Sequence, residues 1–189
     1  MADENTLWRA QTYALLATLL NAAPQKVVLE QLAALEIVEP DSPMGKQWLQ
    51  LREAVKQVDP ESISDEFQTL FIGVTHGELI PYGCYYQTGF LMEEPVALLR
   101  SDLAKLGLER QQDVSEPEDH IAAQCDVMRL ILMAEGTPVV SAQQFFQRHL
   151  APWAEKFFAD MVQAENAIFY RSVGHLGQTF MQLEQSLMV

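Results

Sequence analysis

Basic residues are scarce in this chain. Its 189 residues hold 12 Lys and Arg against 26 Asp and Glu, a formal net charge of −14 at pH 7. A protein that grips nucleic acid must neutralise phosphates, so it carries the opposite sign at least in a patch. The shortage sets nucleic acid aside, and anionic membrane surfaces with it; a field of this sign draws cations and basic peptides. Cysteine is scarcer still. Cys84 and Cys125 stand far apart with no CxxC pairing, which argues against a zinc site, a thioredoxin-type motif or a disulfide framework. No apolar run approaches the ~18 to 20 residues needed to span a bilayer. The opening Met1-Ala2-Asp3-Glu4-Asn5 is acidic where a secretory signal would be basic. These absences predict a cytoplasmic chain with reduced thiols and no direct membrane insertion.

Strand-like alternation is missing too, and Leu, Ala, Gln and Glu, all good helix formers, take its place. With 49% hydrophobic residues the chain has ample material for a core. Punctuation then cuts it into helices. The first is expected from Asp3 or Asn5 to Ala22, with Leu7, Trp8, Leu15, Leu16, Leu19 and Leu20 on its apolar face. Pro24 opens a second that stops before Pro40. Ser42 and Pro43 read as N-cap and first helical residue of a third. A fourth covers Glu61 to Ile72. The segment from Gly73 to Gly89, with four glycines and three tyrosines, has no periodicity and reads as a long loop of the functional kind.

Helicity resumes from Glu93 to Leu106, with Leu98, Leu99, Leu103 and Leu106 inward and Gly107 as the C′ residue. Leu108 to Val114 is a polar connector. Ser115-Glu116-Pro117-Glu118 matches a capping box for a helix that carries Ile121, Cys125, Met128 and Leu132 inward and ends at Gly136. Ser141 and Gln144 form a second such box. Pro152 opens a further segment with Trp153, Phe157 and Met161, and a last helix holds Phe169, Val173, Leu176, Phe180 and Leu183. The fold class is all-α: a single domain, 1–189, forming an irregular bundle of about nine helices. A hinge near 107–115 would allow two lobes.

Catalytic and cofactor signatures are largely wanting. None of the four histidines follows a Glu by three residues, as a di-iron bundle requires, and HExxH is missing. Gly45-Lys46 is followed by Gln47 and has no upstream glycine, so no phosphate-wrapping loop is present. Cys84 has only Gly83 and Tyr85 beside it, so no base activates it as a nucleophile. Asp119-His120 is the most suggestive pair. In the first turn of a capped helix its carboxylate would favour the helix dipole, and its imidazole would be a pH-sensitive contact. Tyr82, Tyr85 and Tyr86 beside Pro81 form an amphipathic cluster of the kind enriched in binding surfaces. Two other classes stay open on the residues alone. One is a nucleotide-hydrolysing enzyme using Asp119 and His120 as acid and base; the other is a generic helical adaptor.

Three blocks together resemble the TorD/DmsD chaperones of molybdenum-containing respiratory oxidoreductases. Glu66-Phe67-Gln68-Thr69-Leu70-Phe71, then Gly73, is similar to the family's E-[YF]-x-x-L-F-x-G. Pro81-Tyr82-Gly83-Cys84-Tyr85-Tyr86 is similar to its P-[YW]-x-S-x-Y, with Cys84 where serine is usual. Glu116-Pro117-Glu118-Asp119-His120-Ile121 is similar to its E-P-x-D-H-[IL]. His149-Leu150 with Pro152-Trp153, and Phe169-Tyr170, add support; the likeness covers roughly residues 60–180. It implies an all-helical protein without catalytic activity or a built-in cofactor. Its partner would be a molybdoenzyme catalytic subunit and that subunit's twin-arginine leader, held in the apo form until the cofactor is inserted before export. The implied leader-binding residues are Asp119, His120, Glu116, Pro117, Pro81, Tyr82, Cys84, Tyr86 and Phe71. The resemblance also admits weak guanine-nucleotide binding and either a monomer or a helix-exchanged dimer. A twin-arginine leader carries two adjacent guanidiniums and then an apolar stretch. Its receptor needs carboxylates and an adaptable apolar groove, which the −14 charge, Glu116, Glu118, Asp119 and eight methionines supply.

Overall fold

The computed structural model describes residues 3–73, 76–111 and 116–188. Among them ten α-helices follow one another: α1 Glu4–Asn21, α2 Lys26–Ala33, α3 Pro43–Gln57, α4 Pro60–Phe67, α5 Gly83–Thr88, α6 Glu94–Lys105, α7 Ile121–Met133, α8 Ala142–Phe145, α9 Ala154–Gln163 and α10 Phe169–Leu187. Single π-helical turns, Gln68–Ile72 and Phe146–Leu150, continue α4 and α8. Among the described residues no strand forms, and the fold is all-α. No described helix is long and apolar enough to cross a membrane.

Several helix starts follow from local chemistry. Ser42 Oγ accepts the Gly45 N–H at 2.9 Å with Pro43 behind it. One oxygen of Asp59 accepts the Glu61 and Ser62 N–H groups at 3.0 Å each. Ser141 and Gln144 satisfy each other's backbone N–H groups, the reciprocal box expected there.

The chain forms two compact units. The first takes the chain as far as Asn21, then Pro81–Ala154 and Met188; the second takes Ala22–Ile80 and Glu155–Leu187. In the first, α1 packs along α7, burying Tyr13, Leu16, Leu19 and Leu20 on one helix and Ile121, Cys125 and Met128 on the other. Each such side chain contributes about 1.5 to 3 kcal/mol on leaving water. Buried Asp102 of α6 ties that helix to the turn after α8, accepting from Lys105 at 2.7 Å, His149 at 2.9 Å and Arg148 at 3.0 Å. Burial pushes its pKa up, but the three donors outweigh it and hold Asp102 well below the usual carboxylate range.

In the second unit α3 packs on α10. Glu66, the acid of the first family block, is a helix cap. Its carboxylate accepts the N–H groups of Ile168, Phe169 and Tyr170 at 2.8, 3.0 and 2.7 Å, closing the start of α10 from 102 to 104 residues away. Further along, α10 comes so close to α9 that a Cβ on Gly177 would lie 2.3 Å from the Phe158 ring.

The second helix stops before Pro40 as expected, at Ala33, and the structure corrects three other expectations. The stretch read as a loop from Gly73 to Gly89 contains α5. The helix assigned to Ser115 starts only at Ile121, with His120 as N-cap; Ser115 itself lies outside the described residues. Leu98, expected inward, is 57% exposed. Of the connector 107–115, residues 107–111 fall inside the first unit, and 112–115 lie outside the described residues.

Candidate functional site

Two of the three family blocks are joined by backbone. Tyr82 is extended and pairs antiparallel with His120. On either side of that bridge Gly83 N–H donates to the Asp119 carbonyl at 3.0 Å and Ile121 N–H to the Pro81 carbonyl at 2.9 Å. Segments more than thirty residues apart thus form one ridge between the start of α5 and the start of α7. Both belong to the first unit.

Asp119 closes the start of α5. Tyr82, in the N-cap position, offers no side-chain acceptor there. Asp119 Oδ2 accepts the Cys84 N–H instead, at 2.7 Å, and its carbonyl also takes Gln124 Nε2 at 3.0 Å. The carboxylate is 3% exposed; burial raises its pKa against the pull of the Cys84 N–H. Asp119 therefore stands before the N-cap of α7, not in a first turn, and faces inward. A receptor carboxylate open to an incoming guanidinium it is not.

His120 caps the neighbouring helix. Its Nδ1 accepts the Ala122 N–H at 3.1 Å, which leaves the proton on Nε2. Burial lowers its pKa to about 4, nearby Glu116 pulling the other way. A pKa lowered that far favours the neutral imidazole near pH 7, where His120 acts as a cap and an Nε2–H donor. Asp119 and His120 each serve a different helix start, an arrangement unlike an acid–base pair.

Aromatic rings line the ridge. Tyr82 meets His120 edge-on at 5.3 Å between centroids, and its hydroxyl donates to Glu116. Tyr86 lies against Trp153 at 5.6 Å. Gly83 lets α5 approach that indole, since a Cβ there would sit 2.8 Å from Trp153 Nε1. Cys84 is buried beneath, its Sγ accepting the Glu93 N–H at 3.1 Å. A thiol used in this way serves the loop rather than chemistry.

The acids divide by exposure. Glu118 receives Arg100 through two hydrogen bonds of 2.9 Å each, with Arg110 at 3.9 Å. The Arg100 contact lowers its pKa, and its charge is already met. Glu116 is exposed and takes the neutral Tyr82 hydroxyl. Pro117 is half-buried, its carbonyl accepting the His120 N–H at 3.2 Å. Of the nine residues singled out from sequence, eight gather here: Pro81, Tyr82, Cys84, Tyr86, Glu116, Pro117, Asp119 and His120. Phe71 belongs to the second unit, edge-on to Tyr170 at 5.2 Å and beside Phe67 at 5.0 Å.

Gln124, which holds the Asp119 carbonyl, carries no signal in the sequence, because its place on α7 looks like any buried helical position. Among the described residues no group of His, Cys, Asp or Glu is placed to hold a metal ion. The surface is thus a half-buried aromatic ridge with one open carboxylate, suited to an extended chain carrying a guanidinium.

Comparison with known proteins bears on what such a surface serves. Residues 39–159 match the family model described as nitrate reductase delta subunit. The chaperone protein TorD of Vibrio atlanticus is 31% identical over 133 residues, covering 65% of this chain and 62% of that protein. The "Probable Tat proofreading chaperone DmsD" of Haemophilus influenzae is 28% identical over 118 residues, covering 61% and 57%. A crystal structure from Archaeoglobus fulgidus, described as a candidate redox enzyme maturation protein, shares the fold with a TM-score of 0.57 at 17% identity, covering 96% of both chains. The chain spans about 62% of the length of the first of these curated relatives.

Proposed function

This chain belongs to the TorD/DmsD family of chaperones, and from that premise we propose that it binds the twin-arginine leader and apo form of a molybdoenzyme catalytic subunit. It would hold that subunit in the cytoplasm until its cofactor is inserted and export can follow. The family is one of chaperones and not of enzymes.

The observation that carries the reading is the Tyr82–His120 bridge, which makes one surface of two family blocks. Glu116 receives a leader guanidinium, as an exposed carboxylate can. Tyr82, Tyr86 and His120 supply ring faces and the Nε2–H donor. Pro81, Cys84, Pro117 and Asp119 keep that surface in shape from beneath. Phe71 serves the same client from the second unit. Weak guanine-nucleotide binding, and a monomer that exchanges helices into a dimer through the 107–115 connector, belong to the same proposal.

Calorimetric titration of a synthetic twin-arginine leader peptide between 50 and 500 mM salt tests it. Attraction between the −14 chain and an arginine pair is screened beyond about 10 Å at 0.1 M salt. Affinity should fall steadily as salt rises. A flat affinity would mean that apolar contact alone carries the complex, and no binding at any salt would remove the reading.

A further inference from the structure

Between α5 and α6 three consecutive large apolar side chains face water: Phe90 is 69% exposed, Leu91 48% and Met92 56%. Single exposed apolar residues are ordinary, but a contiguous run on one loop is not. The loop is pinned at both ends. Phe90 N–H donates to Thr88 Oγ1 at 3.2 Å, Gly89 N–H donates to the Tyr85 carbonyl at 2.8 Å, and Glu93 N–H donates to Cys84 Sγ. Between these anchors Met92 is held at φ 63, the sole non-glycine residue with positive φ among the described residues. L side chains rarely adopt that conformation, and it persists where the surroundings over-determine it. Here it keeps apolar side chains in water rather than in the core. Tyr85 of α5 and Leu98 of α6, both exposed, flank the run.

Position and charge narrow what covers this loop. The six residues of α5 rise about 9 Å, and the far end of that helix carries Tyr82 and the bridge to His120. Exposed Glu93 and Glu94 follow Met92 directly. A second copy meeting this loop through its own loop would set Glu93 and Glu94 against the same acidic pair, whereas a segment both apolar and basic would be drawn in. Resting on the leader-binding reading above, we propose that Phe90, Leu91 and Met92 dock the apolar stretch that follows the leader's arginine pair. The guanidinium would lie at Glu116 and the apolar stretch at the opposite end of α5.

The test uses the full chain and two synthetic peptides. One has Arg-Arg followed by an uninterrupted Leu and Ala run; the other has the same run with the arginines changed to Gln. The Phe90→Ser/Leu91→Ser double variant should bind the first peptide roughly tenfold more weakly, the scale of removing two apolar contacts, with an unchanged slope of affinity against salt. It should also lose the residual binding that the wild type keeps for the second peptide. Both side chains are already in water, so thermal unfolding should be unmoved, which separates lost docking from lost fold. Equal affinity of variant and wild type would overturn the inference and leave the leader reading standing. Failure of the wild type to bind either peptide would overturn both. A shift from dimer to monomer in sedimentation, with peptide affinity unchanged, would make the loop a self-contact and overturn the inference alone.

Discussion

Asp119 places a carboxylate where water scarcely reaches, 3% exposed, against the Cys84 N–H at the start of a six-residue helix. That N–H needs an acceptor more than it needs a charge. Asp119→Asn keeps an oxygen for Cys84 and should keep both fold and leader affinity. Asp119→Ala leaves a buried donor unmet and should cost about 1 to 3 kcal/mol in urea unfolding, with affinity falling as the ridge loosens. The pH dependence has a definite sign. The folded-state pKa lies above the ordinary 3.8, so this carboxyl's favourable contribution is present below 3.8 and lost as pH rises through the raised value. The Asn variant should therefore gain on the wild type as pH climbs past that range. An Asn variant that is fully stable yet no longer binds leader would show that the charge itself touches the peptide.

His120 acts at the scale of the element it caps. Its pKa falls from 6.5 to about 4, so the folded state binds the proton less well than the unfolded chain. Its stabilising contribution is complete above pH 6.5 and is lost as pH falls toward 4. Unfolding measured at pH 7, 6, 5 and 4 should show the wild type losing more stability than His120→Asn, by no more than about 3 kcal/mol; parallel curves would deny the cap. The same scale explains what the sequence disclosed. Ser42 with Pro43, and Ser141 with Gln144, are local signals, and the structure forms both caps. The α5 helix has no such signal: Gly83-Cys84-Tyr85-Tyr86-Gln87-Thr88 is short, opens on glycine, and is closed by Asp119 from 35 residues away. The start of α7 at Ile121, rather than behind Ser115, has a related reason. Glu118 looks like the far member of a capping box, but Arg100 takes its carboxylate. Motif spacing marked the Pro81–Tyr86 and Glu116–His120 segments; only the fold shows which of their side chains face out. Asp119 and Glu118 were legible as acids, and neither their burial nor their pairing was.

For the whole molecule, the proposed leader complex would draw on both charge and shape. The acidic excess draws a basic peptide from any direction, whereas the ridge of the first unit offers one open carboxylate, Glu116, beside half-buried rings. Specific recognition in that complex would thus rest on a few groups within a general field. The central claim is that Glu116 receives an arginine of the leader, and a double-mutant cycle tests it most directly. Wild type and Glu116→Gln are each titrated calorimetrically with leader peptide and with the same peptide carrying Gln in place of its arginine pair. A direct contact predicts a coupling of about 1.5 to 3 kcal/mol, the scale of a hydrogen bond between charged groups. Losses that simply add, to within about 0.5 kcal/mol, would contradict it.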